Sequence, residues 1–382
     1  MTDDRLVLAF FVDALGWELV RRHGGFEEVA PHRYRQRTVL GYSCAAQPTI
    51  LTGKMPSEHG HWGMYYRTGR SELAPLRPLR FVPPAVANHR RFRSRVMRHH
   101  RRRSGFTGYY HLYRIPFDLF GRFDLCEKRD IYAPGAFENG TESIFDLLDA
   151  RGTRYRRWTW QSGLDESFAE LEREIESDSL GFAMLYTPYI DGFLHAHVGD
   201  HEAERRAIEA VDAKVRRVVD AARARRRDVR VLIFSDHGMA PTNGSADVMR
   251  RIEGLGLRRF RDYIAFYDST MARFWFETDV ARARIVEALE EEASGEILSD
   301  DDLRSEGVFF EDRRFGELVF LMQPGRLIVP SYMGKTAPAG MHGYSPDHAD
   351  SYAVIMSNVE LDPEPQHIRD TYGAMVRSIG AA

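Results

Sequence analysis

Leu6-Val-Leu-Ala-Phe-Phe-Val12 is an unbroken apolar run that stops at Asp13. A β-rich run of this length with no polar alternation reads as a strand covered on both faces, the signature of a parallel sheet packed between helices. Three later runs share the character: Gly181 to Tyr186, Val229 to Phe234 and Tyr352 to Met356. Between them lie helical stretches, the clearest over His201 to Arg227, where Ala207, Ile208, Val211, Val215 and Val218 recur at helical spacing. Strands alternating with helices predict an α/β fold with a largely parallel central sheet flanked by helices on both faces. In such sheets ligands sit beyond the carboxyl ends of the strands.

Two stretches break the rhythm, from about 64 to 134, rich in Arg, His, Tyr and Pro, and from about 245 to 323. In the second, Tyr263 to Phe276 predicts antiparallel strands and the region near Ala281 to Glu292 a helix. Both are expected to be cap insertions over the active edge of a single catalytic domain spanning 1–382. The 382 residues, 43% hydrophobic and 29% charged, suffice for a large core and exclude disorder and fibrous repeats.

A formal charge of -3 gives no global attraction to nucleic acid, so none is expected as a partner. Two cysteines, Cys44 and Cys126, cannot build a disulfide framework or a four-thiolate zinc site, which fits a reducing compartment. No window approaches the roughly 18 apolar residues of a membrane span, and the start of the chain is acidic; a cytoplasmic, soluble chain is expected.

Asp13, Asp191 and Asp236 each fall within a few residues of the end of a buried run, and His237 follows Asp236 directly. Asp191 and His195 are four apart, on one face if a helix starts there, which suits a shared metal ion. His342 precedes the last buried run. Singly, each is as well read as a helix cap or a solvated imidazole; together, three Asp and three His interrupting apolar runs point to a metal site. Ser43 lies near the start of a short apolar helix, where free N–H groups and the helix dipole favour an attacking alkoxide and a bound phosphate. An ordinary serine N-cap is the plainer alternative.

Asp13 after the first strand, Ser43 nine positions before Thr52-Gly53, Pro56-Ser-Glu-His-Gly60, Asp191-x-x-x-His195, Ser235-Asp-His-Gly-Met239 and His342-Gly-Tyr344, taken in that order, resemble the alkaline phosphatase superfamily. The likeness is greatest to its nucleotide pyrophosphatase/phosphodiesterase branch, and it covers 5 to about 63, 140 to 245 and 335 to 360. The resemblance implies two divalent metal ions, one held by Asp191, His195 and His342, the other by Asp13, Asp236 and His237 with the Ser43 oxygen. Zinc is the expected metal for such a nitrogen and oxygen shell, with manganese and iron as alternatives. It implies a hydrolase that cleaves a phosphodiester or pyrophosphate bond through Ser43 and a covalent phosphoseryl intermediate. The expected partner is a small phosphorylated substrate such as a nucleotide or nucleotide-sugar diester. A phosphomonoesterase or phosphotransferase on the same site, and an inactive metal-binding scaffold, are the rival readings.

The chain departs from the branch pattern at the nucleophile. Thr followed by Phe-Pro-Asn is usual there, whereas Ser43 is followed by Cys-Ala-Ala, so Ala46 stands where a phosphate-binding Asn is expected. Gln47, or an arginine from the cap such as Arg90, Arg91 or Arg93, is expected to supply the missing donor. Eight arginines fall between Arg90 and Arg103, followed by Phe106, Tyr109, Tyr110 and Tyr113. This reads either as an anion-binding cap with faces for a base or sugar, or as a solvated basic helix. A formylglycine sulfatase is disfavoured, because Cys44 is one position off register and neither the Pro nor the Arg of that motif stands at the right offset. Some hundred residues between His237 and His342 also disfavour the cofactor-independent phosphoglycerate mutase arrangement.

Overall fold

The computed structural model describes residues 5–176 and 180–380. Its central sheet has six strands: β1 (Arg5–Val12), β2 (His32–Gln36), β3 (Tyr155–Trp158), β4 (Phe182–Thr187), β5 (Asp228–Phe234) and β6 (Ala353–Ser357). Their order is β2-β6-β5-β1-β4-β3. β1 lies between β5 and β4 and pairs parallel to both, with Phe10 opposite Ile233 on one side and Leu185 on the other. The apolar run that opens the chain is therefore the middle of the sheet. Its alternate residues feed two cores, Val7, Ala9 and Phe11 into one and Leu6, Leu8, Phe10 and Val12 into the other. That is why no polar residue interrupts it.

Helices cover both faces, as expected. The helices that matter here are α1 (Ser43–Thr52), α2 (Arg90–Ser104), α3 (Tyr189–His197) and α4 (His201–Arg223). The stripe Ala207, Ile208, Val211, Val215 and Val218 of α4 is buried against one face. Asp200 caps α4 by accepting from the Ala203 N–H, satisfying one of the orphan donors of its first turn.

One strand departs from the parallel pattern. β6 runs antiparallel to both β5 and β2, so it enters the sheet at the edge where β1, β4 and β5 end. Residues just before β6 are thereby delivered to the same edge as residues just after the parallel strands.

A second sheet contains Tyr263–Tyr267, Met271–Phe276, Gly295–Leu298 and Leu318–Met322, all antiparallel, with a helix over Asp279–Glu290. Its apolar face shares a third core with the segment from Tyr65 to Leu125. Phe123 packs on Phe266 and Trp275 at ring separations of 5.1 and 5.2 Å. The two irregular stretches of sequence thus bury each other's apolar surface. No helix among the described residues is long and apolar enough to cross a membrane.

Candidate active site

At the carboxyl edge of the central sheet three carboxylates meet. Asp13 leaves β1 and is buried; the next residue, Ala14, sits at φ +60°, a left-handed conformation that costs a non-glycine residue energy. The Ala14 N–H donates to Asp236 Oδ1 at 3.2 Å, tying the loop after β1 to the loop after β5. Asp236 itself is fully buried, with its carbonyl accepting from Thr38 Oγ1 at 2.6 Å. The loops touch so closely that only glycine fits: a Cβ at Gly16 would lie 2.5 Å from Gly238 Cα, and one at Gly238 2.3 Å from Asp350 O.

The imidazoles are fixed by their second nitrogens. His237 Nδ1 faces Gly238 O at 3.0 Å and His195 Nδ1 faces Gly340 O at 2.9 Å, so in each case Nδ1 carries the proton and Nε2 presents a lone pair to the site. His342 is brought in by the short ribbon Gly340–Met341, which pairs antiparallel with Ala240–Pro241 just beyond His237. The His237 and His342 rings stack at 3.8 Å.

Two constellations result. Ligand atoms of Asp13, Asp236 and His237 lie within 4.8 Å of one another, and so do those of Asp191, His237 and His342. His195 Nε2 lies 3.3 Å and His342 Nε2 3.6 Å from Asp191 Oδ1. Asp13 Oδ1, Asp191 Oδ1 and Asp236 Oδ2 are buried yet accept no hydrogen bond, and His342 Nδ1 also lacks a partner. Burial, and then the charge of Asp13, push the Asp191 and Asp236 carboxyls upward, while burial lowers His195 and His342. Three orphaned carboxylate oxygens beside three inward imidazole nitrogens form a hole in the charge balance that divalent cations fill. The donor set therefore fits two metal ions, with His237 next to both.

Ser43 opens α1, and its Oγ lies 3.0 Å from His237 Nε2. It occupies the first helical position, with Tyr42 as N-cap, so the plain serine-cap alternative does not describe it. All seven expected metal and nucleophile residues are brought to one edge.

A cavity of 460 Å³ opens above them, lined by Asp13, Ser43, Asp191, His195 and His342 at its base. Gln47 also lines it: its Nε2 donates to Tyr186 O–H at 3.2 Å and its Oε1 accepts from Tyr132 O–H at 3.2 Å. Tyr186 in turn donates to Asp13 Oδ2 at 2.5 Å. The arginines take other places. Arg93 is buried in its own cap, donating to the carbonyls of Ala87, Leu112 and Ile115, each at 2.9 Å, with its guanidinium 4.6 Å from the Phe117 ring. Arg90 and Arg91 are exposed on α2. None of the three lines the cavity, and among the described residues no Lys or Arg does. Tyr109 and Tyr113 of the aromatic run do line it, while Phe106 and Tyr110 pack on His100.

Sequence reasoning missed Tyr186, Tyr132, Trp160, Glu127 and Asp268, all of which face the cavity. Tyr186 closes an apolar run, where a phenol reads as core. Cys44 also lines the cavity; burial pushes its thiol up to about 12, so it stays protonated.

The sequence profile described as type I phosphodiesterase / nucleotide pyrophosphatase matches residues 7–345. No curated relative matches by sequence. Among solved structures, the chain resembles murine ectonucleotide pyrophosphatase / phosphodiesterase 5, with 13% identity, TM-score 0.68 and coverage of 100% of this chain and 96% of that one. The human counterpart gives 12% identity and TM-score 0.69, over 99% and 95% of the two chains. An inactive murine variant in complex with AMP gives 12% identity and TM-score 0.67, over 99% and 96%. At such identities the likeness concerns the fold.

Proposed function

The chain belongs to the type I phosphodiesterase / nucleotide pyrophosphatase family and is a phosphodiesterase-like hydrolase, and from that premise we propose that it cleaves small phosphodiesters by attack of Ser43 Oγ on phosphorus. The observation that carries the proposal is the placement of the Ser43 oxygen, at a helix start and 3.0 Å from the Nε2 atom that both donor groups share.

Asp191, His195 and His342 would hold one ion and Asp13, Asp236 and His237 the other. Bound there, the ions supply the positive charge that lowers the pKa of a hydroxyl and stabilises the developing phosphorane; the mixed nitrogen and oxygen donors suit zinc. The protein's own part is positional. α1 presents its N-terminal N–H groups and dipole to the phosphoryl oxygens. Tyr186 holds Asp13 by one oxygen, leaving Oδ1 turned inward. Gln47, with one amide hydrogen committed to Tyr186, keeps the other for a non-bridging phosphoryl oxygen, the duty Ala46 cannot perform. As the Oγ–P bond forms, the P–O bond to the leaving alcohol breaks and that alcohol takes up a proton. Water then adds to phosphorus, releasing the phosphomonoester and returning the proton to Ser43. The AMP bound by the inactive murine relative supports a small phosphorylated ligand in this cavity.

The test compares an aryl phosphodiester, an aryl phosphomonoester and an aryl sulfate on enzyme stripped by chelation and reconstituted with zinc or manganese. Metal-dependent turnover is expected, greatest for the diester, and Ser43→Ala should lower it by about 10³-fold or more at unchanged metal content. Undiminished rates in Ser43→Ala, or full activity after exhaustive chelation, would remove the proposal.

A further inference from the structure

Away from the cavity, another group of imidazoles and a carboxylate gathers where the helix Trp17–His23 meets the start of α4. Glu204, in the first turn of α4, is completely buried. Its Oε1 accepts from the Gly199 N–H at 2.7 Å, which fixes the orientation of the carboxylate. Its Oε2 lies 2.8 Å from His23 Nε2 and 3.1 Å from His201 Nδ1. The three ligand atoms fall within 4.8 Å of one another, as they do in the two groups at the active edge. None of the three residues lines the cavity.

Two imidazole nitrogens aimed at one oxygen of a buried, oriented carboxylate is the arrangement of a three-ligand cation site. His201 and Glu204 are three apart on α4 and share a face, while His23 arrives from the helix after β1, so no local capping motif accounts for the meeting. Two imidazoles and one carboxylate form a donor set for zinc; calcium, which asks for roughly six to eight oxygens, finds one carboxylate among these ligands. The Gly199 bond to the other carboxylate oxygen is the outer contact that holds a ligand in direction. The His201 side chain is 63% exposed, which gives an ion a path in and leaves a fourth position for water. Arg22, with Nη1 3.6 Å from Glu204 Oε2, is the competing cation; its side chain is 42% exposed and can swing into water when an ion takes over the carboxylate.

We propose that His23, His201 and Glu204 form a third metal site, a zinc clip distinct from the two groups at the active edge. The clip touches no substrate. It joins the helix that follows the Asp13 loop to the start of α4, just beyond the helix α3 that carries Asp191 and His195. Glu204 also shares a recess with Gly16 and Gly238, where the loops after β1 and β5 touch. An ion there braces, from behind, the loops that carry Asp13, Asp236 and His237, and its binding energy is folding energy. The assignment stands independently of the diesterase reading.

The test counts zinc on tag-free protein that has been stripped by chelation, reloaded with zinc and gel-filtered. His201→Ala, a change at an exposed side chain, should carry about one zinc per chain less than the unaltered protein, and His23→Gln should do the same. A His195→Ala, Asp236→Asn background lacks a ligand from each active-edge group; it should still keep about one zinc, which adding His201→Ala removes. Zinc should raise the Tm of that background by a few °C and leave the Tm of its His201→Ala derivative unmoved. Equal zinc content with and without His201 would overturn the proposal. So would a His201→Ala variant whose Tm falls by the same amount in zinc and in chelator, the behaviour of a hydrogen-bonded cluster that takes no ion.

Discussion

Tyr186 shows how a single hydroxyl organises the charge around it. Its O–H donates to Asp13 Oδ2 at 2.5 Å and receives the Gln47 amide at 3.2 Å, which receives Tyr132 in turn. The chain of three side chains orients one carboxylate so that its other oxygen faces inward without a partner. Removing the hydroxyl frees Asp13 to rotate and leaves the Gln47 amide without its acceptor. Tyr186→Phe is therefore expected to weaken metal affinity and diesterase rate by about 10- to 100-fold, the usual cost of losing a group that orients a ligand, with the fold intact. Metal titration followed by circular dichroism checks this; unchanged affinity would make Tyr186 a packing residue. Asp13, Asp191 and Asp236 are legible because each falls within a few residues of the end of an apolar run, where a carboxylate stands out. Tyr186 is not, because the amphipathic phenol fits the interior of a strand as well as its end.

At the scale of elements, the strand runs and their carboxyl ends could be read from patterning, but the direction of β6 could not. A buried parallel strand and a buried antiparallel one carry the same apolar run, so only pairing distinguishes them. The antiparallel course explains how His342, which precedes β6, meets Asp191 and His237, which follow parallel strands. The Arg-rich helix α2 illustrates the opposite limit. Eight arginines read as one surface, yet Arg93 faces inward and holds the carbonyls of Ala87, Leu112 and Ile115, and burial lowers its guanidinium to about 10. Arg90 and Arg91 are exposed. Arg93→Gln should destabilise the protein by about 2–4 kcal/mol, because buried acceptors lose their donors. Arg90→Gln and Arg91→Gln should stay within about 0.5 kcal/mol and leave the diesterase rate unchanged. Denaturant unfolding measures all three; a stability loss at Arg90 or Arg91 equal to that at Arg93 would contradict this division of α2.

On the scale of the whole molecule, the sheet gathers the candidate metal-holding residues on one edge and the second sheet with its partner segment builds the wall above. That wall was barely legible, since its members come from positions as distant as 65 and 333 and share no periodicity. Interior histidines add a pH dependence. His61 and His367 are held neutral by burial, down to about 4 in each case, with Arg314 and Arg369 adding smaller repulsions. The unfolded chain takes up these protons below about 6.5, so stability is full above that pH and falls as pH drops towards 4. His367→Gln, far from the cavity, should flatten the fall in Tm between pH 6.5 and 4.5 by a few °C relative to the unaltered protein, and identical slopes would assign the acid lability elsewhere. The chemistry at Ser43 is tested most directly by the configuration at phosphorus after hydrolysis of a chiral phosphorothioate diester in isotopically labelled water. Two in-line displacements, the first by Ser43 Oγ and the second by water, give net retention. Net inversion would mean that water attacks the diester directly and that Ser43 forms no covalent intermediate.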